Sequence, residues 1–246
     1  MIKVLSAALL CLSLTAVASG VPTSPAHAQM MTGPSDRPPA DVARDAERKP
    51  AAVIAFAGVK PGMVVAELLP GTGYYTRLLA RAVGSTGEVY AILPASLVTA
   101  VPGAVAVMRT IEAQYPNVHV VLGDLNAIAL PQKVDMFWTT ENYHDLHAIP
   151  NSDIAAFNRS VYEGLKPGGV FLVEDHSATT GSGVEVTSRL HRIDEAMAID
   201  ELQAAGFQVQ AESDLLRNPA DDRSLISHDP SIKGHTDRFL LRLTRR

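Results

Sequence analysis

From Asp41 onward, short apolar runs alternate with segments whose apolar residues recur at helical spacing. Met63-Val64-Val65-Ala66 is a continuous apolar run with Glu67 near its end, as expected of a strand buried on both faces. Tyr74 to Val83 places Leu78, Leu79 and Val83 on one helical face. The same alternation predicts strands over Glu88–Leu93, Val118–Leu122, Val134–Thr139, Val170–Val173, Phe207–Ala211 and Asp237–Thr244. It predicts helices over Asp41–Ala57, Val101–Tyr115, Ile154–Leu165 and Val186–Ala205. Asp41 is a candidate cap for the first of these, Pro50 should break or kink it, and Asn151-Ser152-Asp153 can cap the third. Strand–helix alternation of this kind implies an α/β fold of three layers around a mostly parallel sheet.

Between the first strand and the first long helix lies Pro70-Gly71-Thr72-Gly73. Two glycines there let the backbone bend sharply and approach a ligand closely. In open α/β sheets this turn sits at the carboxyl end of a strand, where ligands bind. A phosphate-binding loop would need Lys after the last glycine, and a dinucleotide loop would need a third glycine where this chain has Thr76. Pro70 removes a further N–H donor. The turn therefore suits a ligand with one carboxylate and a cationic or neutral centre better than a pyrophosphate.

Glu67-Leu68-Leu69-Pro70-Gly71-Thr72-Gly73 resembles the first motif of class I S-adenosylmethionine-dependent methyltransferases, an acidic residue followed by G-x-G-x-G, with Leu69 in place of the first glycine. Pro70-Gly71-x-Gly73-Tyr74-Tyr75-Thr76 is similar to a group of bacterial methyltransferases with an aromatic pair after the glycines. The resemblance runs from about Ala40 to the C-terminus and includes the turn Lys166-Pro167-Gly168-Gly169 before a strand. It implies a Rossmann-like sheet of seven strands, the last antiparallel, with S-adenosylmethionine as cofactor. Glu67, Gly71, Thr72, Gly73 and Tyr74 would then bind cofactor, together with Asp124 and Leu125 after the third strand. Asp124 would contact the adenine amino group; alternatively it only caps the next turn. Nucleotide-binding folds of this kind usually carry an acidic residue at the end of the second strand for the ribose. Ile92-Leu93-Pro94 offers none.

After the fourth strand, Thr140-Glu141-Asn142-Tyr143-His144-Asp145-Leu146-His147 concentrates a carboxamide, a phenol, imidazoles and carboxylates. His144 is a candidate general base oriented by Asp145, and Asn142 and Tyr143 are candidate substrate contacts. Asp175 and His176 end the next strand and are expected in the same pocket. A hydrogen-bonded turn around Asp145 would explain the same residues without chemistry. Aromatic faces such as Tyr74 and Tyr143 can stabilise a sulfonium cation. Ser177 to Gly183 and the long connection from Asp214 to Thr236 are candidate lids. Arg189, His191, Arg192 and Asp194 read as a solvated helix face, and no metal-ligand spacing is evident.

At the N-terminus, Lys3, the apolar run Val4–Ala18 and Ala26-His27-Ala28 have the form of a secretory signal peptide over residues 1–28. Cleavage there would leave 218 of the 246 residues, a flexible arm over 29–39 and one domain over 40–246, in the periplasm or secreted. The sole cysteine, Cys11, would leave with the signal. With Lys3 gone, 20 basic residues face 26 acidic ones, a balance of −6 with no basic stripe. This argues against nucleic acid as the main partner. The expected partner is a small-molecule methyl acceptor, with no membrane insertion after cleavage. An exported, non-enzymatic ligand-binding domain on the same fold is the competing expectation; an NAD-type oxidoreductase is opposed by the missing glycine and the missing acid.

Overall fold

The structure is a computed structural model and describes residues 37–149 and 151–246. The segment read as a signal peptide and most of the arm after it lie outside the described residues. Seven strands form one sheet: β1 (Val64–Leu68), β2 (Glu88–Pro94), β3 (Val118–Gly123), β4 (Val134–Thr140), β5 (Leu165–His176), β6 (Gln208–Glu212) and β7 (Arg238–Thr244). Their order is β3-β2-β1-β4-β5-β7-β6. Only β7 runs against the rest, pairing antiparallel with both β5 and β6.

The apolar runs are continuous because both faces of the sheet are covered. Val65, Ala91, Met136, Trp138 and Leu172 pack on one side. Val64, Ala66, Phe137, Phe171 and Leu241 pack on the other. The helices are α1 (Pro39–Val42), α2 (Asp45–Arg48), α3 (Pro50–Ala57), α4 (Tyr74–Val83), α5 (Leu97–Ala100), α6 (Pro102–Gln114), α7 (Ile154–Gly164), α8 (Glu185–Leu190) and α9 (Glu195–Ala204). Among the described residues no helix is long and apolar enough to cross a membrane.

Four expectations require correction. The first helical stretch is three short pieces, because Lys49 adopts a left-handed backbone (φ 43°) and Pro50 opens α3. Asp41 lies inside α1 and is buried against Arg77, so it is no cap. The helix expected over Val186–Ala205 is interrupted: His191 is left-handed (φ 48°) and Asp194 caps α9 through Ala196 N–H. Consequently Arg192 is not on a solvated face but fully buried, paired with Asp221 at 2.8 Å. The turn Lys166–Gly169 is present as a bulge in β5: Gly168 is left-handed (φ 75°), and the pairing with β4 passes from Leu165 to Val170.

Candidate functional site

The turn after β1 is left-handed at three places: Leu69 (φ 51°), Gly71 (φ 58°) and Gly73 (φ 79°). Leu69 thus holds the conformation that the missing first glycine would supply, at a steric cost of about 1–2 kcal/mol for a residue with a Cβ. Its N–H is fixed by Ile92 O at 2.9 Å. The two glycines serve different ends. A Cβ on Gly71 would meet nothing and project into open space. A Cβ on Gly73 would collide with Ile111 Cδ1 of α6, so Gly73 lets the turn pack on that helix. Arg77 braces the turn from beneath, donating to the Thr72 and Gly73 carbonyls at 2.9 and 3.0 Å and to Asp41 at 3.0 Å.

Glu67 is buried at the end of β1 and accepts from the Thr76 hydroxyl at 2.5 Å. Burial pushes its carboxyl up to about 8, against the smaller opposing effects of Thr76, Arg77 and Arg48. Thr76 therefore replaces the third glycine of a dinucleotide loop with a side chain that satisfies this acid. Above the turn, the segment from Arg37 to the end of α2 brings arginines to Tyr74: the guanidiniums of Arg37, Arg44 and Arg48 lie 5.1, 5.5 and 4.9 Å from its ring centroid. The phenol donates to Asp45 at 2.7 Å. The Tyr74 ring is buried among guanidiniums, and the residue borders the glycine-turn cavity.

Two cavities lie along the carboxyl edge of the sheet. One, about 260 Å³, sits where β1 and β4 end and is lined by Arg44, Arg48, Glu67, Leu69, Gly71, Thr72, Glu141 and Asn142, among others. Asn142 closes it by donating to Leu69 O at 3.0 Å. The second, about 290 Å³, sits where β2 and β3 end, between Pro94-Ala95-Ser96, Gly123–Asn126 and Ile149 with Asn151-Ser152. Asp124 and Leu125 are both there. Asp124 does cap a one-turn helix, accepting from Asn126 N–H at 2.9 Å, while remaining on the cavity wall. Leu93 is buried and Pro94 has no N–H, so the β2 end gives the second cavity no carboxylate.

The polar segment after β4 is arranged differently from expectation. His144 is buried, and Asp175 rather than Asp145 orients it: Nδ1 lies 2.7 Å from Asp175 Oδ1, and the His144 N–H donates to Oδ2 at 2.7 Å. Asp145 Oδ1 lies 3.2 Å from the other ring nitrogen. Burial alone would lower the imidazole, but Asp175, with Asp145, lifts it to about 10. His144 is therefore an imidazolium at neutral pH, and the general-base role with an ordinary pKa is corrected. Tyr143 is also displaced from its expected place. It is fully buried, and its hydroxyl bonds Glu201 at 3.0 Å and Asn158 at 2.8 Å, so it is core rather than substrate contact.

His176 does reach a pocket. Burial lowers its imidazole to about 4, leaving it neutral, and Nδ1 is 2.8 Å from the Thr236 hydroxyl. With Glu141 and Arg44 it lines a cavity of about 680 Å³. The opposite wall is the long connection before β7, through Ser227, His228, Pro230, Lys233 and Gly234. Arg44 and Glu141 border this cavity and the glycine-turn cavity alike.

Sequence reasoning missed the charges that hold this edge together. Glu141 is left-handed (φ 58°) and takes Arg48 and, at 2.8 Å, Arg238. Burial would raise it, yet Arg48 and its other cationic neighbours bring it down to about 2. Glu174 shares Arg238 at 2.9 Å, and burial raises it to about 7. These partners lie up to 97 residues apart, which local spacing does not reveal. His144, Asp145 and His191 also offer ligand atoms within 4.8 Å of one another, a grouping that no sequence spacing suggests.

No family model matches the chain. Over 123 residues it is 29% identical to 2-phytyl-1,4-naphtoquinone methyltransferase of Trichormus variabilis, covering 50% of either chain. Over 130 residues it is 32% identical to the ubiquinone/menaquinone biosynthesis C-methyltransferase UbiE of Hydrogenovibrio crunogenus, covering 52% of this chain and 47% of that one. The chain spans about half the length of the curated relatives it matches. A solved S-adenosylmethionine-dependent methyltransferase from Aquifex aeolicus superposes with a TM-score of 0.60 at 21% identity, over 91% of this chain and all of the other. Strand order, the single antiparallel strand and this likeness establish the fold as the Rossmann-like fold of class I S-adenosylmethionine-dependent methyltransferases.

Proposed function

We propose that this chain is a methyltransferase that binds S-adenosylmethionine along the carboxyl edge of β1–β4 and methylates a small molecule in the adjoining 680 Å³ cavity. One observation carries this: the turn after β1 keeps a left-handed path even at Leu69, and opens onto a charged cavity with free space at Gly71. The cavity has the charges an α-amino acid end requires. Half-exposed Arg44 is the partner for its carboxylate, and Glu141 and Asn142 are partners for its ammonium. Asp124 and Leu125 border the second cavity, which suits the adenine. The curated relatives are named as quinone methyltransferases, which favours a small-molecule acceptor.

When bound, S-adenosylmethionine supplies an electrophilic methyl on a sulfonium. The protein's part is alignment of the acceptor against it. His176, neutral and tethered to Thr236, and His228 would contact the acceptor. Asp175 and His144 act as positioning residues behind that wall. The test is transfer of a labelled methyl group to a panel of quinols, phenols, amines and thiols. Labelled product from one class, lost in Gly71→Asn, supports the proposal; S-adenosylmethionine binding with no product from any class favours the ligand-binding alternative, for which the missing ribose acid at Leu93 speaks.

Export belongs to the same proposal, on the charged start, apolar run and Ala26-His27-Ala28. Intact mass of the protein recovered from its native cell should begin at Gln29; a full-length mass would overturn it.

A further inference from the structure

We propose that His144, Asp145 and His191 form a binding site for one divalent transition-metal ion of the zinc class, on the side of the β4–β5 edge facing the loop that carries His228. The three residues come from two segments, the one-turn helix His144–His147 and the break between α8 and α9. One ligand atom from each lies within 4.8 Å of the others. Asp145 Oδ1 is 3.2 Å from both His144 Nε2 and His191 Nδ1. Those separations are close to the edge, about 3.3 Å, of a tetrahedron with bonds of about 2.0–2.1 Å. Two imidazoles and one carboxylate suit zinc, cobalt or nickel better than magnesium or calcium, which favour oxygen.

The outer shell is also in place. Metal-bound histidines characteristically give their second ring nitrogen to a carboxylate. His144 does so: Nδ1 meets Asp175 Oδ1 at 2.7 Å, leaving Nε2 as the ligand atom once the ion displaces its proton to solvent. Asp175 is itself held by the backbone N–H groups of His144 and His176, each at 2.7 Å. The ring is thus fixed before any ion arrives. An entry path exists, because the side chains of Asp145 and His191 are 36% and 37% exposed while that of His144 is 3%. The His228 ring lies 5.1 Å from that of His191 and lines the large cavity, so an ion here would stand beside the proposed acceptor space. The alternative is a plain His–Asp–His hydrogen-bond chain with no affinity for metal.

The experiment is titration of untagged, chelator-treated protein with Zn²⁺ by calorimetry, with Co²⁺ absorption as a spectroscopic reading of the ligand set. The wild type should take up one Zn²⁺ per chain. His191→Ala should weaken uptake by more than the roughly 10–100-fold that loss of an outer-shell partner costs, and Asp175→Asn should fall within that range. His191 is half exposed, so its variant should keep the wild-type circular dichroism; Asp145→Ala serves as a second ligand variant should it not. His235→Ala, an exposed histidine elsewhere, should bind as wild type. No stoichiometric uptake by the wild type, or wild-type affinity in both His191→Ala and Asp145→Ala, would overturn the proposal. S-adenosylmethionine plays no part in this measurement, so its result stands apart from that of the methyl-transfer test.

Discussion

The Thr76 hydroxyl reaches across the glycine turn to Glu67 Oε2 at 2.5 Å and joins the end of β1 to the first turn of α4. That one contact explains two oddities of the motif. A side chain stands where a dinucleotide loop has its third glycine, and a carboxyl is tolerated with almost no exposure to water. Burial raises Glu67 to about 8, well above its ordinary value of 4.5. Between those values the folded protein holds a proton that the unfolded chain has lost, so stability should fall as pH rises from about 4.5 to about 8. Glu174, raised to about 7, contributes with the same sign. Glu67→Gln keeps an acceptor for Thr76 and should flatten the decline in urea-unfolding free energy between pH 5 and about 8. An unchanged slope would mean that Glu67 is ionised in the folded state.

Gly71 and Gly73 should separate binding from folding. Gly71→Asn fills the open space above the turn with a residue that tolerates left-handed backbone. It should lose S-adenosylhomocysteine binding with little change in thermal stability. Gly73→Ala drives a methyl into Ile111 and should destabilise by about 1–3 kcal/mol, the usual cost of overpacking, before any effect on ligand is considered. Thermal melts with and without S-adenosylhomocysteine measure both. Equal ligand-induced shifts in wild type and Gly71→Asn would contradict the assignment.

Arg44 stands between the glycine-turn cavity and the 680 Å³ cavity, with its ion pairs to Glu47 and Glu141 at 3.3 and 3.8 Å and its side chain 39% exposed. Exposed pairs of this kind contribute about 0–1 kcal/mol to folding. Arg44→Ala should therefore melt nearly as wild type. A charged hydrogen bond to a ligand carboxylate is worth about 1.5–3 kcal/mol, so S-adenosylhomocysteine affinity should fall roughly 10- to 100-fold. Unchanged affinity would remove Arg44 from the carboxylate site.

The places of the strands along the chain were legible because sheet burial writes itself as apolar runs, while the antiparallel last strand followed from the resemblance. β2 and β3 begin where those runs begin, and α4 spans Tyr74–Val83 as its periodicity indicated. The glycine turn was legible because few sequences tolerate left-handed backbone. What was not legible depends on residues distant in sequence. His144 read as a base oriented by its neighbour Asp145, because Asp175, which holds its Nδ1, lies 31 positions away. Arg192 resembled a surface charge because its partner, Asp221, lies 29 positions on in a segment with no periodicity. The helix break at His191 has no proline or glycine to announce it.

That buried pair ties the break before α9 to the long connection covering the large cavity. Arg192 donates to both oxygens of Asp221 and to Ser177 O, while Asp221 also accepts from Asp237 N–H. Asp221→Ala leaves a buried guanidinium uncompensated and should cost about 3–5 kcal/mol. Urea unfolding monitored at Trp138 measures it. A loss below 1 kcal/mol would show that the connection does not depend on this pair.

The central claim is that the carboxyl edge of β1–β4 is an S-adenosylmethionine site despite Leu69 and Leu93. Calorimetric titration of the purified chain with S-adenosylhomocysteine, and separately with NAD, tests it most directly. Saturable one-to-one binding of S-adenosylhomocysteine and no measurable heat from NAD is the expected result. Absence of saturable S-adenosylhomocysteine binding, with the chain folded by circular dichroism, would contradict it.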